Sequence, residues 1–309
     1  MPQTALVTGG AGFIGSHLVD ALLAKRWDVV VVDDLSTGSR KNVDRRAPLK
    51  VMDIRSPKVA ELIKKIKPDA IFHLAAQASV PVSVREPIRD AEINLHATLG
   101  LMEAAAQTGT KRFIFAATGG ALSSETTELP TDEAHAAIPS SPYAIAKVAS
   151  ELYGRFYRHH RGLQFTALRF ANVYGPRQNP HGEAGVIAIF CKRMLAGEAL
   201  RINGTGKQTR DYIYVGDVVS AILATLAKPK AEGPYHIGTG KETNIWTLFE
   251  KISHLTDYRL KPQKGPADIG APVRSALDPS KAKKELAWKP VVSLEKGLAQ
   301  TVEWFRDQA

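Results

Sequence analysis

Ala5-Leu6-Val7-Thr8-Gly9-Gly10-Ala11-Gly12-Phe13-Ile14-Gly15 is the stretch on which the reading of this chain turns. A short apolar run gives way to glycines and then to a helical pattern that continues to Lys25. Gly-x-Gly-x-x-Gly stands at positions 10, 12 and 15, with a strand-like segment before it and a helix-like one after. In that setting each glycine has a task. One makes the tight turn, the next lets backbone approach a pyrophosphate without a Cβ in the way, and the last lets helix and strand pack closely. The helix start adds free N–H groups and the positive end of its dipole. Asp33 closes the next apolar run, Val29 to Val32, 18 residues after Gly15. An acid there accepts ribose hydroxyls and repels a 2′-phosphate, which favours NAD over NADP. Arg40 and Lys41, a few residues on, leave NADP open.

The same alternation continues outward. Lys50 to Met52, Ala70 to Leu74, Phe113 to Phe115 and Phe165 to Leu168 read as strands. Lys58 to Lys67, Asn94 to Thr108 and Pro142 to His160 read as helices between them. Strands that are continuously apolar are buried on both faces. Alternating β and α then predicts an α/β protein, with a Rossmann-type doubly wound parallel sheet. Residues 1–170 are expected to form this dinucleotide-binding domain, with a later return of the chain near 210–240. Residues 171–309 carry Gly/Pro/Asn-rich loops and helices at 186–196, 216–227 and 244–256. They are expected to form a smaller α/β substrate-binding domain.

Composition narrows the classes. The 309 residues include 41 Lys+Arg and 31 Asp+Glu, a net charge of +10, with 44% hydrophobic and 23% charged residues. That is ordinary globular composition. The basic clusters at Lys64-Lys65, Arg158 to Arg161 and Lys281 to Lys284 fall on helix-like stretches and read as solvated faces. No basic stripe interleaves with aromatics, so no nucleic-acid partner is expected. A third use of the charge is to hold an anionic small molecule. No apolar run reaches the ~18 residues of a spanning helix, and no membrane role is expected. Cys191 is the lone cysteine, so an intrachain disulfide is excluded and no metal site is expected. The protein is read as cytoplasmic.

Ser140-Ser141-Pro142-Tyr143-Ala144-Ile145-Ala146-Lys147 opens the long helix. Ser141 suits the N-cap and Pro142 the first helical position. Tyr143 and Lys147, at i and i+4, share a face. A phenol near pKa 10 needs about 4 kcal/mol of phenolate stabilisation to act at neutral pH. A neighbouring ammonium and a cationic nicotinamide are the sources of such a field.

These motifs, with His73-Leu74-Ala75-Ala76, Asn172 to Arg177, Arg210-Asp211-Tyr212 and His236 to Gly240, resemble the extended short-chain dehydrogenases/reductases. Within them the chain is similar to the NAD-dependent epimerase/dehydratase family, and most similar to its UDP-glucose 4-epimerase branch. His181 to Val186 and Thr118-Gly119-Gly120-Ala121 share that flavour. The resemblance implies an NAD-dependent isomerase of UDP-sugars that works through a 4-keto intermediate. It implies a homodimer formed by the helices around Asn94 and Pro142.

The resemblance also assigns residues. Thr118, Tyr143 and Lys147 become the catalytic triad. The cofactor is given Gly9, Gly12, Phe13, Ile14 and Gly15, then Asp33, Asp34, Leu35, Ser36, Thr37 and Gly38. Asp53 and Ile54 match the adenine edge, and Leu74, Ala75 and Ala76 the strand end along the cofactor. Asn94, with a buried structural role as its rival, Ala116 and Phe170 complete the cofactor set together with Tyr143 and Lys147. Thr118 and Tyr143 would meet the sugar, Asn172 and Arg210 the diphosphate, and Gly185 and Val186 would belong to the substrate site.

The chain departs from the family in several places. Ala116-Ala117 replace the usual Ser-Ser, and Leu122-Ser123 the usual Tyr-Gly. Asp268 stands where a diphosphate-clamping Arg is usual, which leaves Lys264 as substitute clamp and Asp268 as ribose acid. Ser275 takes the place of a bulky Tyr that in some relatives restricts the pocket, so room for a 2-acetamido group is expected. Gly119-Gly120 follow Thr118 where dehydratases and decarboxylases carry a carboxylate, so the epimerase reading is preferred. A cofactor-binding regulator without chemistry is the alternative from another class.

Overall fold

The computed structural model describes residues 2–119, 128–181, 185–266 and 273–308. The first part of the chain runs β1 (Thr4–Thr8), α1 (Phe13–Ala24), β2 (Asp28–Asp33), β3 (Leu49–Val51), α2 (Pro57–Ile66) and β4 (Ala70–His73). It continues through α3 (Val80–Arg85), α4 (Pro87–Ala91), a π-helical turn (Glu92–His96), α5 (Ala97–Thr108), β5 (Arg112–Thr118), α6 (Pro142–Arg161) and β6 (Gln164–Phe170). The second part holds β7 (Asn172–Tyr174), α7 (Val186–Leu195), β8 (Arg201–Asn203), β9 (Thr209–Arg210), β10 (Tyr212–Tyr214) and α8 (Val215–Leu226). After these come β11 (Tyr235–Ile237), β12 (Thr243–Asn244), α9 (Ile245–Thr256), β13 (Gln263–Gly265), α10 (Ser280–Leu286) and α11 (Leu294–Asp307).

Seven strands form one sheet in the order β11-β6-β5-β4-β1-β2-β3, and every pairing in it is parallel. This is the doubly wound α/β sheet that the apolar runs predict. Leu18, Val19 and Leu22 of α1 and Val218, Ile222 of α8 cover one face. Ile63 of α2, Leu101 and Met102 of α5, and Phe113, Phe115 and Phe165 of the sheet pack on the other. Each such side chain stabilises the fold by roughly 1.5–3 kcal/mol when fully buried. A third core joins α7, α9 and α11 through Phe190, Leu248 and Leu298. The chain comes back to the large sheet at β11, whose Tyr235 lies beside Leu168 of β6.

The strand order reverses between β1 and β4, and the loops after both strands therefore open into one crevice. One element differs from expectation. The helix read as starting at Asn94 is preceded by α4 and passes through the π-helical turn around that residue. The carbonyl of Asn94 accepts from both Thr98 and Ser150 hydroxyls, which accounts for the local departure from α geometry. Among the described residues, no helix is long and apolar enough to cross a membrane.

Candidate active site

The glycine loop lies at the reversal point. Gly9 has φ +71°, and a Cβ on it would stand 2.6 Å from the backbone N of Ala75. It therefore makes both the left-handed turn and the close approach to the loop after β4. The N–H of Gly12 donates to the Gly9 carbonyl at 3.1 Å. A Cβ on Gly15 would stand 2.8 Å from the Gly9 carbonyl carbon, so helix and loop pack backbone to backbone. A Cβ on Gly12 would meet only the Gly9 carbonyl oxygen, at 3.2 Å, and is otherwise in open space. Turn, open face and close packing thus belong to positions 9, 12 and 15. This corrects the spacing read from the sequence: Gly10 instead makes room for Val31, whose Cγ1 would be 2.7 Å from its Cβ. No side chain caps α1, so Phe13 and Ile14 offer first-turn N–H groups beside the open face of Gly12. That arrangement fits a pyrophosphate.

Asp33 is buried at the end of β2. Its Oδ2 accepts the Ala11 N–H at 2.9 Å and its Oδ1 the Leu35 N–H at 2.8 Å. Each carboxylate oxygen can accept a second bond, so the acid both holds the loop and keeps capacity for ribose hydroxyls. Asp34, Ser36 and Thr37 are exposed, with Asp34 bonded to Ser36, while Leu35 and Gly38 are half-buried. Asp53 is gripped by Arg55, whose guanidinium also reaches Glu92, and Ile54 is buried beside them. Asp53, Arg55, Ser56, Glu92 and His96 line a cavity of about 480 Å³ at this edge.

Ser141 and Pro142 start α6 as the sequence predicts, with the Ser141 hydroxyl accepting from the Ala144 N–H at 3.2 Å. Lys147 is 2% exposed. Its ammonium donates to the Ala116 carbonyl at 3.0 Å, lies 4.6 Å from the Phe115 ring centre and 5.8 Å from that of Tyr143. Two residues beyond Ala116, Thr118 ends β5 in register with Phe170 of β6. Tyr143, Lys147, Thr118, Ala116 and Phe170 are thereby gathered at the carboxyl ends of β5 and β6. Burial draws the Lys147 ammonium down to about 8, against the carboxylates of Asp90 and Glu151. Burial, then Asp90, pushes the Tyr143 phenol above its ordinary range. The sequence reading assigns the opposing field to the ammonium together with a cationic nicotinamide; among protein groups, burial is the largest influence on the phenol.

A polar chain runs beneath the pair. The Thr8 hydroxyl lies 2.6 Å from His73 Nδ1, and His73 Nε2 lies 2.9 Å from the Thr98 hydroxyl. Thr98 donates to the Asn94 carbonyl. Its hydroxyl must therefore accept from His73 Nε2–H, and Thr8 must donate to Nδ1. Burial, with Lys147 adding, holds the ring neutral by drawing its pKa to about 3. Leu74, Ala75 and Ala76 follow, half-buried, with the Ala75 N–H on the Thr8 hydroxyl. The Asn94 amide is committed to protein partners: it donates to the Gln77 carbonyl and Asp90, and accepts from the Gln77 N–H. The structure thus gives Asn94 the structural role that stood as its rival.

On the opposite side, β7 and β10 pair in parallel, Asn172 beside Tyr212. The Asn172 N–H donates to the Asp211 carbonyl, which brings Asn172 next to Arg210. The Asp211 carboxylate, 1% exposed, accepts from the N–H groups of Thr239, Gly240 and Leu277 and from the Thr239 hydroxyl. It ties three motif segments together, a job the sequence did not disclose. Gly185 and Val186 start α7. Ser275 is buried in the segment whose Leu277 packs against Gly119, with its Cδ2 2.9 Å from where a Cβ would be. This seats Ser275 near the end of β5. Lys264 is exposed on β13, paired only with β8. Asp268 lies outside the described residues, as do Gly120 to Ser123 and Gly182 to Ala184.

Asp90 and Gln77 were missed by sequence reasoning. The i, i+4 spacing of Asp90 and Asn94 was the available signal.

Known proteins are similar to this chain over nearly its whole length. The UDP-glucose 4-epimerase of Mycolicibacterium smegmatis is 42% identical, with 98% of this chain and 99% of that protein covered. The crystal structure of UDP-glucose 4-epimerase with UDP-glucose from Thermotoga maritima superposes with a TM-score of 0.96 at 47% identity, covering 99% of each chain. The Thermus thermophilus UDP-glucose 4-epimerase complex with NAD gives 0.93 at 40% identity, covering 99% of this chain and all of that one. The sequence pattern of the NAD dependent epimerase/dehydratase family matches residues 5–238, which hold the glycine loop, the Tyr143–Lys147 face and the β7–β10 pair. The chain therefore belongs to the NAD dependent epimerase/dehydratase family.

Proposed function

We propose that the chain is an NAD-dependent nucleotide-sugar 4-epimerase that interconverts UDP-glucose and UDP-galactose through a 4-keto sugar. The observation that carries this is the fastening of Lys147 to Ala116, which holds Tyr143 beside the strand end bearing Thr118. The Gly9–Gly15 loop and Asp33 would hold NAD, which would supply hydride-transfer chemistry there. Tyr143 takes the proton from the sugar 4-hydroxyl and returns it from the same phenol oxygen. The Thr118 hydroxyl hydrogen-bonds the reacting oxygen. Lys147 contributes positive charge over the Tyr143 ring and anchors α6 to β5. Residues 1–170 serve the cofactor and residues 171–309 mainly the nucleotide, with Asn172 and Arg210 toward the diphosphate. Gly119 adds no carboxylate after Thr118, so the residues for water elimination or decarboxylation are missing there.

The test is incubation of the purified protein with UDP-galactose without added NAD. UDP-glucose is the expected product. Recovery of unconverted sugar, with and without NAD, ends this reading. Ser275 supports a second activity, on the 2-acetamido sugar pair, because it is small at a buried position near the end of β5. Turnover of UDP-GlcNAc in the same assay checks it.

The working unit is a homodimer. Ile145, Leu152, Tyr153 and Phe156 line the outer face of α6 and are 47–59% exposed, and Ile88 of α4 is 77% exposed. An exposed apolar stripe at helical spacing is the feature an isologous helix interface requires.

A further inference from the structure

We propose that Asp90 is a positioning residue whose carboxylate, acting across the contact between α4 and α6, keeps the Lys147 ammonium charged beside Tyr143. This rests on the reading of Tyr143 and Lys147 as the reacting pair, and it follows from a count of charges around a buried cation.

Lys147 donates to one carbonyl and faces two aromatic rings, those of Phe115 and Tyr143. Among the described residues, no carboxylate lies within 4.0 Å of its ammonium. A buried ammonium so poorly compensated tends to lose its proton. Glu151, one turn further along α6, is committed to Arg169: the guanidinium Nε reaches Oε1 at 3.0 Å and Nη2 reaches Oε2 at 2.7 Å. That pair is neutral as a unit. His73 is neutral in its buried chain. Glu103 of α5 is taken by Tyr157 and Arg161 at the far end of α6. Arg112 of β5 donates to the Thr225 carbonyl. Arg85, Glu86, Arg89, Glu92 and His96, on α3, α4 and the π-helical turn, face solvent.

Asp90 is what remains. It is 1% exposed, on an element packed directly against α6. Its Oδ1 accepts from Gln77 Nε2 and Asn94 Nδ2, both at 2.8 Å. Its Oδ2 is buried with no hydrogen-bond partner among the described residues. A carboxylate held by two donors and left with one bare oxygen is a charge whose balance must come through space. Burial drives its proton affinity up and Lys147 draws it down, while Asp90 is the first charge to raise that of Lys147. Gln77, which aims the carboxylate together with Asn94 of the π-helical turn, belongs to the loop after β4 that also meets Gly9. The charge next to the reacting pair is thus positioned by the same loop that shapes the cofactor crevice.

The experiment is NMR of the protein labelled with ¹³C at lysine Cε, followed as pH is raised, with Lys147→Met identifying the Lys147 signal. In Asp90→Asn the midpoint falls from near 8 by at least a tenfold loss of proton affinity. Asp90→Glu, which keeps the charge, restores most of it. A midpoint unchanged in Asp90→Asn overturns the proposal. Linkage is reciprocal, so a second measurement does not depend on that variant folding. In Lys147→Met, ¹³C-labelled aspartate must show Asp90 holding its proton at least tenfold more tightly, and an unmoved Asp90 overturns the proposal as well. Neither readout needs a sugar to turn over. Failure of the epimerase assay with both midpoints displaced would sink the 4-epimerase reading and leave this one standing.

Discussion

At Tyr143 two requirements conflict. The phenol must be buried against the strand ends to meet a sugar, and burial makes its ionisation harder. Lys147 answers only part of this, since the same burial draws its own ammonium toward neutrality. Loss of the phenol oxygen leaves no proton acceptor. Tyr143→Phe is therefore expected to lower turnover of UDP-galactose by about 10²–10⁴-fold, while the NAD content of the purified protein, read by absorbance, stays at the parent level. For Ser275 the proposed role is one of size. Ser275→Tyr is expected to abolish turnover of UDP-GlcNAc and spare that of UDP-galactose, measured side by side as kcat/KM. Equal losses on both sugars would mean that Ser275 does not face the 2-position.

Helix α6, which carries Tyr143 and Lys147, is fixed at several heights. Ser141 caps its start, Lys147 is tied to β5, Ser150 is tied to the π-helical turn, and Glu151 grips Arg169 of β6. The last is a buried ion pair, 7% and 9% exposed in its two side chains. Removing one partner of such a pair leaves an unmatched buried charge and costs about 3–5 kcal/mol. Glu151→Gln is expected to lose stability toward the lower end of that range in urea unfolding, since the amide still accepts one hydrogen bond. Glu151→Leu combined with Arg169→Met is expected to regain most of the loss, because the pair itself is worth little against well-packed apolar side chains. Equal instability of the single and double variants would show that packing, not charge, governs the site.

Over the whole molecule, pH and assembly are the two levers. Burial draws the ring of His236 to about 4 and that of His73 to about 3. The folded protein keeps both neutral, while the unfolded chain protonates them below about 6.5. Unfolding then takes up protons, so these groups remove stability as pH falls from about 6.5 toward 4. The His236 Nδ1 faces the Thr131 carbonyl, a partner that a glutamine amide can keep. His236→Gln is expected to reduce the slope of unfolding free energy against pH by about 1.4 kcal/mol per pH unit in that window. An unchanged slope would mean that the ring is charged in the folded state. For assembly, Phe156→Glu puts a charge into the exposed stripe of α6. It is expected to halve the mass found by sedimentation equilibrium and leave the far-ultraviolet circular dichroism unchanged.

Local pattern was enough for much of this protein. The run from Ala5 to Gly15, the acid at Asp33, the cap at Ser141-Pro142 and the i, i+4 pair Tyr143–Lys147 are statements about neighbours in the chain. Apolar periodicity, turn chemistry and helix spacing act over a few residues, so the parallel sheet and the capped start of α6 were legible without coordinates. Other features needed three-dimensional contact. That Gly9 and not Gly10 makes the turn depends on the approach of Ala75, 66 residues away. That Asp211 binds Thr239, Gly240 and Leu277, that the Asn94 amide is engaged by Gln77 and Asp90, and that Asp90 is buried with one bare oxygen all depend on which loops meet. Burial and long-range electrostatics are properties of the packed chain, and no window of sequence contains them.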